Sequence, residues 1–166
     1  MHRAPSSIVL PAAMAAALAA CDTAPAAQAE QDYYAALRPI LADNAKMAKD
    51  FQSLAARIKK DAPDASDVGK RLDRQFIPAA QALAERAAAV QPGTAELADA
   101  HALLVTAWEA RVTHYKGIHD AWKDKDLDAY RTASDASYSS KALEGRYFRQ
   151  VNIALAPAAV TLTPYP

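Results

Sequence analysis

Cysteine occurs once in this chain of 166 residues, glycine four times and phenylalanine three times, and the net charge is zero. A lone cysteine rules out a disulfide within the chain and the Cys-x-x-Cys-His attachment of covalent haem. The Ser137-Tyr138-Ser139-Ser140 run has no glycines framing it as a nucleophile elbow. The 19 Lys and Arg are matched by 19 Asp and Glu, which argues against general attraction to nucleic acid. No block of like charge marks an interaction tail. The apolar run over residues 8–18 is interrupted by Pro11 and falls short of the roughly 20 residues a membrane-spanning helix needs. A catalytic motif is missing as well, so no enzyme activity is expected.

What is present begins at the N-terminus. Arg3 supplies a positive charge, residues 8–18 an apolar core, and Ala19-Ala20 two small residues before Cys21. That is the layout of a secretory signal peptide. Its last four residues, Leu18-Ala19-Ala20-Cys21, resemble the lipobox of bacterial lipoproteins: a branched apolar residue, two small ones and cysteine. The resemblance covers residues 1–21 only. It implies cleavage before Cys21, a diacylglyceryl thioether on its sulfur and acylation of the new amine. Because one chain holds weakly and two or more hold stably, it also implies a durable anchor on the non-cytoplasmic side of a membrane. Asp22 follows, and in enteric lipoproteins Asp there tends to retain the protein at the inner membrane. Apart from this covalent lipid, no cofactor is expected.

Behind the anchor, about a quarter of the chain is alanine, the best helix former. β-Branched residues are sparse in the middle. The expectation is an all-α chain: signal peptide over 1–20, lipidated Cys21 and flexible tether over 21–29, four-helix bundle over 30–156, and an extended, proline-containing tail over 157–166. A first helix is predicted over 30–60, where Leu37, Ile40, Asn44, Met47, Phe51, Leu54 and Ile58 alternate steps of three and four. Pro39 there marks a first turn or a bend. The second helix runs from Asp64, a potential N-cap, to residue 90, with a kink at Pro78. Gln91-Pro92-Gly93 is a turn, and Thr94 caps the third helix, over 95–123. The fourth covers 127–155 and is expected to fray or bend over 134–140, where residues are small and polar. Short turns make consecutive helices alternate in direction, an antiparallel up-down bundle.

Polar residues on apolar seams are the candidate site. His101, Arg111 and Tyr115 share the third helix's seam, and Asn44 sits on the first. An interior pocket there would use Arg111 for an anionic group, with Tyr115 and the two tryptophans as walls. The competing reading pairs Arg111 with Asp43 or Glu144 and makes Asn44 a register device. His101, His114 and His119 are spaced by 13 and 5 residues, not the three or four that put two metal ligands on one face, so no metal site is expected. A non-covalent haem on Met47 and a histidine is the weakest reading. Arg146, Tyr147 and Arg149 form a basic, aromatic cluster that can mark a protein interface. Tyr33 and Tyr34 cap the bundle end or meet the lipid interface. The functional expectation is a lipid-anchored, protein-binding module of the cell envelope, with interior ligand binding as the alternative.

Overall fold

In the computed structural model, residues 25–61 and 65–164 are described, and among them helices occur without any strand. The signal peptide, Leu18-Ala19-Ala20-Cys21 and Asp22 lie outside the described residues, as does the expected cap at Asp64. The long helices are α1 (Pro25–Asp61), α4 (Ala95–Asp124) and α5 (Leu127–Ala154). Between them, α2 (Ala65–Arg71), a π-helical turn (Leu72–Phe76) and α3 (Ile77–Ala88) follow one another without a gap. Among the described residues this makes four helical segments, followed by one short 3-10 turn. No helix among the described residues is long and apolar enough to cross a membrane.

Residues 25–29, expected to belong to a flexible tether, are helical and already part of α1. Pro25 opens the helix at a position where its missing N–H would have no partner anyway. Ala29 is held from the other side. A Cβ built on Gly93 would lie 2.7 Å from the Ala29 Cβ, so the glycine lets the α3–α4 turn close onto α1. Pro39 consequently falls well inside α1. It sits on the exposed face, where the carbonyl it leaves without a donor can take water.

Pro78 does not simply kink its helix. It lies in the first turn of α3, and the turn before it widens to π geometry, with the Ile77 N–H bonded to the Leu72 carbonyl. Proline cannot donate to the carbonyl four residues back, and a wider turn absorbs that loss while keeping Leu72 and Phe76 buried. The bend becomes a bulge.

The expected fraying of the last helix over 134–140 is also corrected, because α5 is continuous from Leu127 to Ala154. Small residues there permit close approach instead. A Cβ on Gly117 would stand 3.1 Å from the Ala133 Cβ, and Ser140 Oγ donates to the Ala107 carbonyl at 2.8 Å. Asp126 caps α5 by accepting from the Asp128 and Ala129 N–H groups, after Lys125 turns the chain in a left-handed conformation (φ 56°).

Helix α4 is the centre of the core. Its buried stripe includes Leu97, Ala100, Leu104, Trp108, Val112, Tyr115 and Ile118, and it packs on α5, α3 and α2. From α1 come Leu37, Ile40, Leu41, Met47 and Leu54, and from α3 Leu83 and Ala87. The proline-containing tail, expected to be simply extended, turns first and then packs. A 3-10 turn (Ala156–Ala158) reverses the chain through Ala159 (φ 53°), and Leu162 then packs into the core at 3 % exposure. Asn152 holds it like a strand partner, donating to the Leu162 carbonyl at 2.9 Å and accepting its N–H at 2.8 Å.

Candidate functional site

A cleft of about 240 Å³ opens between α1, α4 and α5, and Asn44, Arg111 and Tyr115 all line it. His114, Ser137, Ser140, Lys141 and Glu144 complete its polar wall. Arg111 organises the cleft. One terminal nitrogen, Nη2, lies 2.9 Å from both Glu144 carboxylate oxygens, and Nη1 donates to Asn44 Oδ1. Trp108 Nε1 donates to Glu144 Oε1 at 3.0 Å, while the guanidinium carbon stands 5.7 Å from the Trp108 ring centroid. The side chains of Arg111 and Glu144 are 14 % and 17 % exposed. An ion pair so sheltered is held by its hydrogen bonds as much as by its charge. Of the two carboxylates offered to Arg111 by the sequence, Glu144 is the partner. Asp43 pairs instead with Arg86 at 2.7 Å, in the open.

Tyr115 is stacked on Phe51, with ring centroids 4.6 Å apart. Burial pushes its hydroxyl pKa up, Arg111 pulls it down, and Glu144 raises it further. His114 Nδ1 donates to the Ala133 carbonyl, which sets its tautomer. Burial holds its pKa below the ordinary value, partly offset by that bond; Lys141 and Arg111 lower it further.

His101 does not reach this cleft. Ten residues separate it from Arg111, about 15 Å along a helix axis. It belongs to a second, closed network in which its Nε2 donates to the Ala87 carbonyl at 3.1 Å. That leaves Nδ1 to accept from the Tyr33 hydroxyl at 2.9 Å, and Tyr147 contributes its hydroxyl to Tyr33 at 3.3 Å. Burial pushes Tyr33 up to about 12, although its bond to Tyr147 pulls the other way. Tyr147 is also raised, by burial first and then by Tyr33. Burial lowers the His101 pKa, while the Ala87 bond raises it.

Tyr147, expected on an interface with Arg146 and Arg149, is therefore corrected: it is 0 % exposed and only the two arginines face outward. Tyr33, placed at the bundle end by the sequence, is likewise a core residue at 2 %. A signal for Tyr147 was available. Ser140, Glu144, Tyr147 and Val151 repeat at steps of four, three and four, an inward stripe that passes through the basic cluster.

His101 and His114 set the pH dependence of stability. Both have folded-state pKa values below the unfolded one, so the unfolded chain binds more protons as the pH falls. Stability is expected to be full above the ordinary histidine pKa and to decline as the pH drops through and below it. Thermal melts between pH 8 and pH 5 check this, and a double His101→Gln, His114→Gln variant should show a flatter profile. A melting temperature that rises on acidification would contradict it.

Compared with known protein families, characterised proteins and solved structures, the chain matches none.

Proposed function

We propose that this protein is a lipid-anchored module of the bacterial cell envelope whose helical domain binds another protein. The observation that carries the reading is the Leu18-Ala19-Ala20-Cys21 segment at the end of an apolar run, with Pro25 starting α1 only four residues later. Three intervening residues span at most about 10 Å when fully extended, so the domain rests against the membrane that holds Cys21. Asp22 favours the inner membrane.

The domain is read as an up-down-up-down bundle. Contacts between α1 and α4 advance together, Tyr33 with His101, Asn44 with Arg111 and Phe51 with Tyr115. Those between α4 and α5 run in opposite senses, from Ala107 with Ser140 to Gly117 with Ala133. What favours protein binding over an interior ligand is the state of the cleft's polar groups. Asn44, Arg111 and Glu144 already satisfy one another, and a small anion entering there would have to displace Glu144 from Arg111. The outer face of α5 instead leaves Tyr138 at 71 % and Ile153 at 76 % exposure, beside Arg146 and Arg149. Aromatic and arginine side chains of this kind dominate interface energetics.

Cys21→Ser is expected to abolish incorporation of labelled fatty acid and to move the protein from the membrane to the soluble fraction. Labelling that persists in the variant rules the anchor out. Crosslinking in native membranes from positions 138 and 153 tests the second half: one recurrent protein adduct is expected, and none from either position counts against a partner on α5.

A further inference from the structure

A different end of the molecule holds a carboxylate with nothing bound to it. Glu30, in the second turn of α1, is 6 % exposed, and its Oε2 has no hydrogen-bond partner among the described residues. A buried carboxylate oxygen without a donor costs more than almost any other polar defect. The backbone beside it packs closely on the α3–α4 turn, where a Cβ on Gly93 would lie 2.7 Å from the Ala29 Cβ. It lines a cleft of about 540 Å³ together with Glu96 and Asp99 of α4.

Three carboxylates thus face one space, and no described Lys or Arg lines it. The first turn of α4, capped by Thr94, adds the positive end of a helix dipole. That end is equivalent to about half a charge, too little to balance three. The other wall is mostly apolar: Ile153, Ala154 and Pro157 border the same cleft, beside the amide of Gln150. Ile153, at 76 %, is the most exposed large apolar side chain described. A site with an unmet anion on one wall and an uncovered apolar stretch on the other fits a ligand that is cationic at one end and aliphatic at the other. A divalent metal fits less well, since no three His, Cys, Asp or Glu side chains among the described residues gather closely enough to hold one.

We propose that the cleft bounded by Glu30, Glu96, Asp99 and Ile153 binds an alkylammonium group. The Glu30 carboxylate turns toward the cleft and accepts an N–H of the ammonium, Glu96 and Asp99 supply the surrounding negative field, and the methylenes lie along Ile153 and Pro157. Two sources present this chemistry, a soluble alkylamine and the headgroup of an aminophospholipid. The site does not depend on whether Cys21 is lipidated, but it shares Ile153 with the face of α5 assigned to a protein partner, so ligand and partner would compete there.

The test uses the full chain carrying Cys21→Ser, which leaves no lipid to mask the result. Titration with n-hexylammonium, followed by calorimetry, should saturate, whereas n-hexanol, with the same chain and no charge, should bind at least about tenfold more weakly. Glu30→Gln should weaken n-hexylammonium by about tenfold without lowering the melting temperature, because a neutral amide is cheaper to bury than an unpaired carboxylate. Vesicles separate the sources. Phosphatidylcholine has a quaternary ammonium with no N–H to donate. Binding that appears only when phosphatidylethanolamine is added assigns the lipid headgroup; amine binding without vesicle binding assigns a soluble ligand. Either result upholds the site. It is overturned if n-hexylammonium does not saturate, if Glu30→Gln binds it as tightly, if that variant melts lower, or if Ca²⁺ competes for the same place.

Discussion

Glu144→Leu is expected to cost about 3 kcal/mol of unfolding stability, near the lower end of what breaking a sheltered ion pair from one side costs. Leucine packs well enough, so the loss comes from what is left behind. Arg111 keeps its charge at 14 % exposure with Asn44 as its remaining hydrogen-bond partner, and Trp108 Nε1 loses its acceptor. For a domain of this size that corresponds to a fall of roughly 10 °C in melting temperature. Restoring the balance should restore most of the loss. The double variant Arg111→Met, Glu144→Leu removes both charges together, and an apolar replacement for an ion pair is often neutral. Urea unfolding of the two single variants and the double completes the cycle. Simple addition of the two single losses would mean that Arg111 and Glu144 do not depend on each other. The same variants separate the two functional readings. If Arg111→Met lowers stability while all binding, of small anions as well as of a partner, is unchanged, the arginine is structural and an interior anion pocket is ruled out.

Tyr33→Phe should cost about 1–3 kcal/mol, the penalty for leaving buried polar atoms without partners. The hydroxyl it removes is the middle of a chain. His101 Nδ1 loses its donor, and the Tyr147 hydroxyl loses its acceptor. His101 cannot compensate by changing tautomer, because its Nε2–H is committed to the Ala87 carbonyl. Tyr147→Phe removes only the end of the chain, through the longer 3.3 Å contact, and leaves the Tyr33–His101 bond intact. It should therefore cost less than about 1 kcal/mol. The ordering is the prediction, read from urea midpoints of the two variants. A Tyr147→Phe variant that loses as much as Tyr33→Phe would break the chain as drawn.

The candidate cleft was partly legible because Asn44, Arg111 and Tyr115 occupy seam positions at nearly the same height. Seams place residues on a face, and a face is enough to predict burial. His101 shares the seam of Arg111 but not its level. Spacing along one helix converts directly into distance, so their separation was readable from the sequence. The partner of Arg111 was not. Asp43 and Glu144 were both in reach on paper, and the choice depended on how far α1, α4 and α5 are rotated about their own axes. That rotation comes from the whole core and from no single segment. Tyr147 illustrates a different difficulty. Its neighbours Arg146 and Arg149 draw attention to charge, while the stripe of Ser140, Glu144 and Val151 turns it inward.

Local chemistry also misled where contacts over long separations decide. Ser134 to Ser140 read as weak helix by composition, yet small side chains are what let α4 and α5 approach through Gly117–Ala133 and Ser140–Ala107. The tail over 157–166 read as extended because it holds prolines, but the chain turns through residues 156–159, and Asn152 and a pocket for Leu162 then fasten it down. Nothing in residues 157–164 announces that pocket.

By itself, the sequence determined the all-helical class, the cap at Thr94, the start of α5 at residue 127, and the apolar stripes of α1 and α4. These follow from alanine content, capping oxygens and a period of three to four residues, all of which act within one or two turns. Only the tertiary structure decided that Glu144 takes Arg111, that Tyr33, His101 and Tyr147 close a buried chain, and that Glu30 is enclosed with one oxygen unpaired. Each depends on side chains brought together from helices far apart in sequence, where packing and desolvation act and local propensity carries no information.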